Sequence, residues 1–150
     1  MGRLTELLNL AERRGQSAGI GYRGLAYPLE VAEMLALAPG ARLVDVRSRA
    51  ELELVGSIPG ALHVEWLSYP GWAANPFFLT QLDQQVDREA LLLFICRSGH
   101  RSHYAAAAAQ QAGFSQCFNV LEGFEGDIDK TTGRRSLGSW KLAGLPWVQS

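Results

Sequence analysis

The sequence predicts an α/β domain in which a mostly parallel central sheet carries helices on both faces. Three observations lead there. Helical and strand-like segments alternate from Pro28 to Leu121, the order that strand–helix–strand crossovers produce. Leu91–Ile95 is an uninterrupted apolar run, as a strand covered on both faces should be. The alanine-rich stretch Ser102–Gln111 comes soon after it and is closed by Gly113, which reads as a strong helix with a glycine stop.

The elements follow in order. Leu4, Leu7, Leu8 and Ala11 recur at helical spacing, so Thr5–Arg14 is expected to be a short helix with Thr5 as a candidate cap. Gly15–Gly24 holds four glycines and few apolar residues, which reads as a flexible connection. Residues 1–24 are thus expected to form an N-terminal helix and flexible arm, and residues 25–150 the domain proper. Pro28 opens a second helix, where a proline in the first turn is tolerated. Its inner stripe is Val31, Met34, Leu35 and Ala38, and Pro39-Gly40 ends it. Ala41–Val46 is a β-rich run. Ser48, with Glu51 three residues on, makes a capping box for a brief helix through Leu54. Ile58-Pro59-Gly60 is a turn, and Ala61–Val64 a brief strand. Trp66–Pro76 is irregular and aromatic, with Tyr69 and Trp72 inside it; such a stretch suits a pocket wall or lid. Phe77–Gln85 is expected as a helix and Cys117–Leu121 as the last strand.

Composition narrows the function. A balance of 47% hydrophobic and 19% charged residues is that of a globular chain, not a disordered one. The net charge of −1 supplies no field for gathering nucleic acid. The longest apolar run falls far short of the ~20 residues that cross a bilayer, so no membrane association is expected. The opening Met1-Gly2-Arg3-Leu4 lacks a signal-peptide core, and Glu6 stands where a myristoylation motif would need Ser or Thr. Two cysteines, Cys96 and Cys117, make no disulfide framework. Reduced thiols and a cytoplasmic location are the expectation.

The chemistry concentrates at Cys96-Arg97-Ser98-Gly99-His100-Arg101-Ser102. A cysteine leaves a buried strand, a compact loop follows, and a helix begins at once. Converging loop amides, the positive end of the helix and the charges of Arg97 and Arg101 all favour a thiolate. The loop is an anion cradle with a nucleophile at its centre, and Gly99 supplies the left-handed backbone that a tight cradle needs. Cys117 has no basic neighbour and reads as a packed strand thiol.

With these residues the chain resembles the rhodanese family. The Cys96–Ser102 loop is similar to the active-site loop of single-domain sulfurtransferases. Leu43-Val44-Asp45-Val46-Arg47, Gly56-Ser57-Ile58-Pro59-Gly60-Ala61 and Phe118-Asn119-Val120-Leu121-Glu122-Gly123 resemble three further family motifs, in the right order between about Tyr27 and Gly123. Leu145-Pro146-Trp147 fits the family's usual ending. The resemblance implies a rhodanese-like fold and a sulfurtransferase that carries sulfane sulfur as a persulfide on Cys96. The donor would be thiosulfate or a similar small anion, and the acceptor cyanide or another thiophile, a protein acceptor included.

The resemblance also implies roles for single residues. The amides of Arg97, Ser98, Gly99, His100, Arg101 and Ser102 would hold the transferred sulfur, with Arg97 helping to bind the anionic donor. Arg101 would pair with Asp45, and Arg47 would lie near the active edge of the sheet. The family often has histidine where Ser57 stands and glycine where Phe124 stands; Phe124 is expected to narrow the pocket mouth. No cofactor is implied. His63, His100 and His103 have no ligand-spaced partner, and Asp127, Asp129 and Lys130 lack the downstream glycine and glutamate of a calcium loop, so no metal is expected. Two alternatives stand beside this reading. One is a sulfur-carrier or binding module acting through protein partners. The other is a cysteine-dependent phosphatase or arsenate reductase, whose loops hold five residues between cysteine and arginine where this chain has four.

Overall fold

The computed structural model describes residues 2–127, 131–133 and 138–149. Five parallel strands form the central sheet in the order β1-β7-β6-β2-β3. They are β1 (Gly24–Ala26), β2 (Arg42–Asp45), β3 (Leu62–His63), β6 (Leu91–Ile95) and β7 (Gln116–Val120). Parallel neighbours need crossovers, and helices supply most of them: α2 (Pro28–Leu37), α3 (Arg49–Leu54), α4 (Phe78–Gln85) and α5 (His100–Gln111). No helix among the described residues is long and apolar enough to cross a membrane.

The N-terminal segment departs from expectation. Helix α1 runs Arg3–Ala18, longer at both ends than Thr5–Arg14, with Gly2 rather than Thr5 at its N-cap. Leu7 and Ala11 are buried against the sheet. The Gly15–Gly24 stretch, expected to be a flexible connection, holds the last turn of α1 and the first residue of β1, which pairs with β7. A strand of three residues containing a glycine leaves no periodicity to detect, so the sequence hid it.

Side-chain alternation along β6 divides the interior in two. Leu91, Leu93 and Ile95 point to one face, where α1, α2, Phe124 and Trp140 cover them. Leu92, Phe94 and Cys96 point to the other, under α4 and α5. Every residue of β6 is buried, which is why its sequence is apolar without a polar partner face. Parity thus sends Cys96 toward the start of α5. The alanines of α5 let it lie close on the sheet: Ala105, Ala106 and Ala109 are fully buried.

Ser48 caps α3 as predicted. Its hydroxyl accepts from the Glu51 N–H at 3.3 Å and its own N–H donates to Glu51 Oε1 at 3.2 Å. The irregular Trp66–Pro76 stretch carries a small antiparallel hairpin, β4 (Leu67–Ser68) and β5 (Ala73–Ala74), whose tip bears Tyr69 and Trp72.

Candidate active site

The carboxyl ends of β2, β3, β6 and β7 converge on one edge of the sheet, where ligands bind in open parallel sheets. Cys96 follows β6 there and is 1% exposed. Its Sγ accepts the Gly99 N–H at 3.1 Å and lies 3.3 Å from the Ser102 hydroxyl. The amides of His100, Arg101 and Ser102 precede the first intrahelical bond of α5, from His103 N–H to the Gly99 carbonyl at 3.2 Å. They present the positive end of a twelve-residue helix to the same place.

Two glycines make this packing feasible. Gly99 sits at φ +101°, which brings its amide round to the sulfur. Gly123, at φ +57°, passes so close to the loop that a Cβ there would stand 2.5 Å from the Cys96 carbonyl oxygen. The turn after β7 clamps the loop: Phe124 N–H donates to Cys96 O at 2.8 Å, and the Glu125 and Gly126 amides donate to Arg97 O at 2.9 and 3.1 Å. Phe124, expected at the pocket mouth, is instead fully buried beneath the site, edge-on to Trp147 and under Arg47. An aromatic in the place of a small residue fills the floor rather than the entrance.

The arginines are arranged differently from expectation. Arg101 does not take Asp45. It forms a two-pronged pair with Glu51, at 2.5 and 2.8 Å, and its guanidinium stacks on Trp72. Asp45 is held by Arg47, whose Nε and Nη2 donate at 3.0 and 2.7 Å while Nη2 also reaches Gly56 O at 2.9 Å. This pair is buried, at 0% and 2% side-chain exposure. Arg47 Nη1 is the one buried side-chain nitrogen or oxygen among the described residues left without a hydrogen-bond partner, and the guanidinium lies over the Phe124 ring at 4.2 Å. Two residues of separation at the strand end put Arg47 next to Asp45, whereas Arg101 starts α5 on the α3 side. Burial pushes the Glu51 carboxyl up, but the Arg101 guanidinium and Ser48 outweigh it and hold Glu51 below its ordinary value.

Arg97 leans out along the site and meets Glu125 at 3.2 Å. His100 is largely exposed beside Asp127, and Ser98 faces a shallow depression shared with Tyr22, His103 and Tyr104. Asn119 was not singled out from the sequence. Its Oδ1 lies 2.5 Å from Ser102 Oγ and its Nδ2 donates to Gly99 O at 3.1 Å, so it braces both groups that touch the sulfur. The available signal was parity: on β7 Asn119 shares the face of Cys117, a polar residue aimed at an alanine helix. Cys117 itself is packed in the strand, where burial pushes its thiol up to about 12. No group of three metal-ligating side chains occurs among the described residues; Asp129 and Lys130 lie outside them.

Comparison with known proteins places this arrangement. The Rhodanese-like domain family matches residues 28–129. The crystal structure of Rv0390 from M. tuberculosis has a TM-score of 0.77 at 40% identity, over 86% of this chain and 99% of that one. "Uncharacterized protein RP600 homolog" of Rickettsia rickettsii is 34% identical over 119 residues, 77% of this chain and 89% of the relative. "Thiosulfate sulfurtransferase 16, chloroplastic" of Arabidopsis thaliana is 30% identical over 118 residues, 77% of this chain and 86% of that protein. With its sheet order, its motifs and these relatives in agreement, the chain belongs to the rhodanese-like domain family.

Proposed function

We propose that the protein is a sulfurtransferase that carries sulfane sulfur as a persulfide on Cys96, taken from thiosulfate or a similar donor and passed to cyanide or another thiophile. One observation carries the reading. The Cys96 sulfur accepts the Gly99 N–H at 3.1 Å at the positive start of α5, with the Ser102 hydroxyl 3.3 Å away and committed to Asn119 Oδ1 at 2.5 Å, a setting of converging amides that favours sulfur anions. The thiolate attacks the outer sulfur of thiosulfate, the S–S bond of the donor breaks, and its electron pair leaves with sulfite. The second anion then remains on the outer sulfur of Cys96, and a nucleophile that takes this sulfur returns the electron pair to the cysteine. The thiosulfate sulfurtransferase among the relatives supports this class of reaction. A reducing compartment such as the cytosol suits the two free thiols.

Phosphate or arsenate chemistry is the weaker reading. The Gly99 amide already closes to 3.1 Å on the sulfur, which suits a single added atom better than a tetrahedral group. The test is thiosulfate:cyanide transfer with intact-mass analysis after thiosulfate treatment. Cys96→Ser is expected to abolish transfer and the mass gain of one sulfur atom, while Cys117→Ser retains both. Equal loss in the two variants would overturn the single-nucleophile reading.

A further inference from the structure

The segment between α1 and β1 does more than join them. Helix α1 covers the face of the sheet that carries Leu91, Leu93 and Ile95, whereas Tyr22 packs on the opposite face, in the same cluster as Cys96. The chain therefore passes round the β1 margin of the sheet between Ala18 and Gly24. Arg23 N–H donates to Cys117 O at 3.0 Å, and the space beside Gly24 is filled, since a Cβ there would stand 2.7 Å from Ala11 O. This tight path fixes Tyr22, which is 7% exposed and precedes the residues 28–129 that the family matches.

The Tyr22 phenol begins a chain of polar groups that leads to Cys96. Its oxygen lies 2.7 Å from His103 Nδ1, with the two rings edge to face at 5.4 Å. Burial pushes the phenol up to about 12, against a hydrogen bond from the Asn119 side chain, so at neutral pH it keeps its hydrogen. The Asn119 bond favours the phenolate and so comes from the amide N–H, which leaves the phenol hydrogen for His103 Nδ1. Asn119 then has one orientation. Its Nδ2 serves the Tyr22 oxygen and Gly99 O, the latter at 3.1 Å, while Oδ1 takes the Ser102 hydroxyl at 2.5 Å. Neither Tyr22 nor His103 lines the cleft that Arg97 and Arg101 flank on the other side of the loop.

We propose that Tyr22, anchored on His103, is a positioning residue for sulfur transfer: it holds the Asn119 amide in the orientation that secures Gly99 and Ser102 around Cys96. The inference rests on the persulfide reading above. The Gly99 N–H is the donor aimed at the sulfur. Such donors act through alignment, so a small error of aim slows the step without loosening the substrate. Loss of the Tyr22 hydroxyl belongs in the limiting rate of sulfur transfer, not in the thiosulfate concentration that half-saturates it. The N-terminal arm is thereby part of the catalytic unit.

The experiment mixes the full chain with excess thiosulfate in a rapid-quench device and follows the gain of one sulfur atom on Cys96 by mass, over a range of thiosulfate concentrations. Tyr22→Phe removes only the hydroxyl and keeps the ring in the core. It should lower the limiting rate about fivefold, the equivalent of one ordinary hydrogen bond, with half-saturation unchanged. His103→Leu should do the same, and His103→Asn, which offers an acceptor near the place of Nδ1, should recover most of the loss. In an Asn119→Ala background, Tyr22→Phe should slow the step no further. An unchanged limiting rate in Tyr22→Phe, with or without a lower melting temperature, overturns the proposal and leaves Tyr22 a packing residue. So does a loss that adds to that of Asn119→Ala, or one that falls on half-saturation alone. In each of these cases Cys96 still gains sulfur and the persulfide reading stands. A wild type that gains no sulfur on Cys96 overturns both.

Discussion

Replacing Arg47 by methionine should cost more stability than any other single change at the site. The substitution keeps the apolar stem and removes the guanidinium from a pair whose members are 0% and 2% exposed. Asp45 is then left as a buried carboxylate with only the backbone N–H of residue 47, at 3.1 Å, to accept from. The Gly56 carbonyl loses its donor as well. Breaking a buried pair costs about 3–5 kcal/mol, and the surviving backbone bond argues for the lower part of that range, ~3–4 kcal/mol. For a domain of this size the melting temperature should fall by roughly 6–16 °C. Thermal melts by circular dichroism measure it, and a double-mutant cycle assigns the partner. Asp45→Asn should couple strongly to Arg47→Met and hardly at all to Arg101→Ala. An Arg47→Met variant that melts within about 2 °C of wild type would refute the reasoning, as would a larger coupling of Asp45 to Arg101.

Two further outcomes follow from the same geometry. Glu51 is held below its ordinary 4.5 chiefly because the Arg101 pair overcomes burial. A carboxyl depressed in the folded state adds stability that is full above the unfolded value and lost as pH falls through the folded one. Wild type should therefore lose melting temperature below pH 4.5 more steeply than Arg101→Ala, and parallel curves would remove Glu51 from the account. Cys117, buried and pushed up to about 12, should resist iodoacetamide at neutral pH in the native protein and react once urea unfolds it. Peptide mass mapping reads this directly, and native labelling of Cys117 would contradict its packing.

Much of the site was legible because strand and helix periods are local. The apolar run into Cys96, the alanine helix after it and the Ser48–Glu51 capping box each occupy one short stretch of chain. What escaped was long-range. The resemblance gives Asp45 to Arg101 and sets Arg47 near the active edge of the sheet, and only the path of the chain at the end of β2 and the start of α5 gives Asp45 to Arg47 and Arg101 to Glu51 instead. Asn119 looked like one more strand residue until β7 was set beside α5. Phe124 was misplaced because its direction depends on the tight turn at Gly123, where the backbone lies against the Cys96 carbonyl. The capping box, in turn, does more than its local pattern states: both oxygens of Glu51 go on to grip Arg101.

The sheet ends in strands of three and two residues, β1 at one margin and β3 at the other. An exposed strand margin is a template for pairing with another chain, and a long flat one invites aggregation or domain swapping. Margins this short present too few free amides and carbonyls to recruit a neighbour's strand. Neither margin of the sheet therefore offers a ready template for fusing it with the sheet of another molecule.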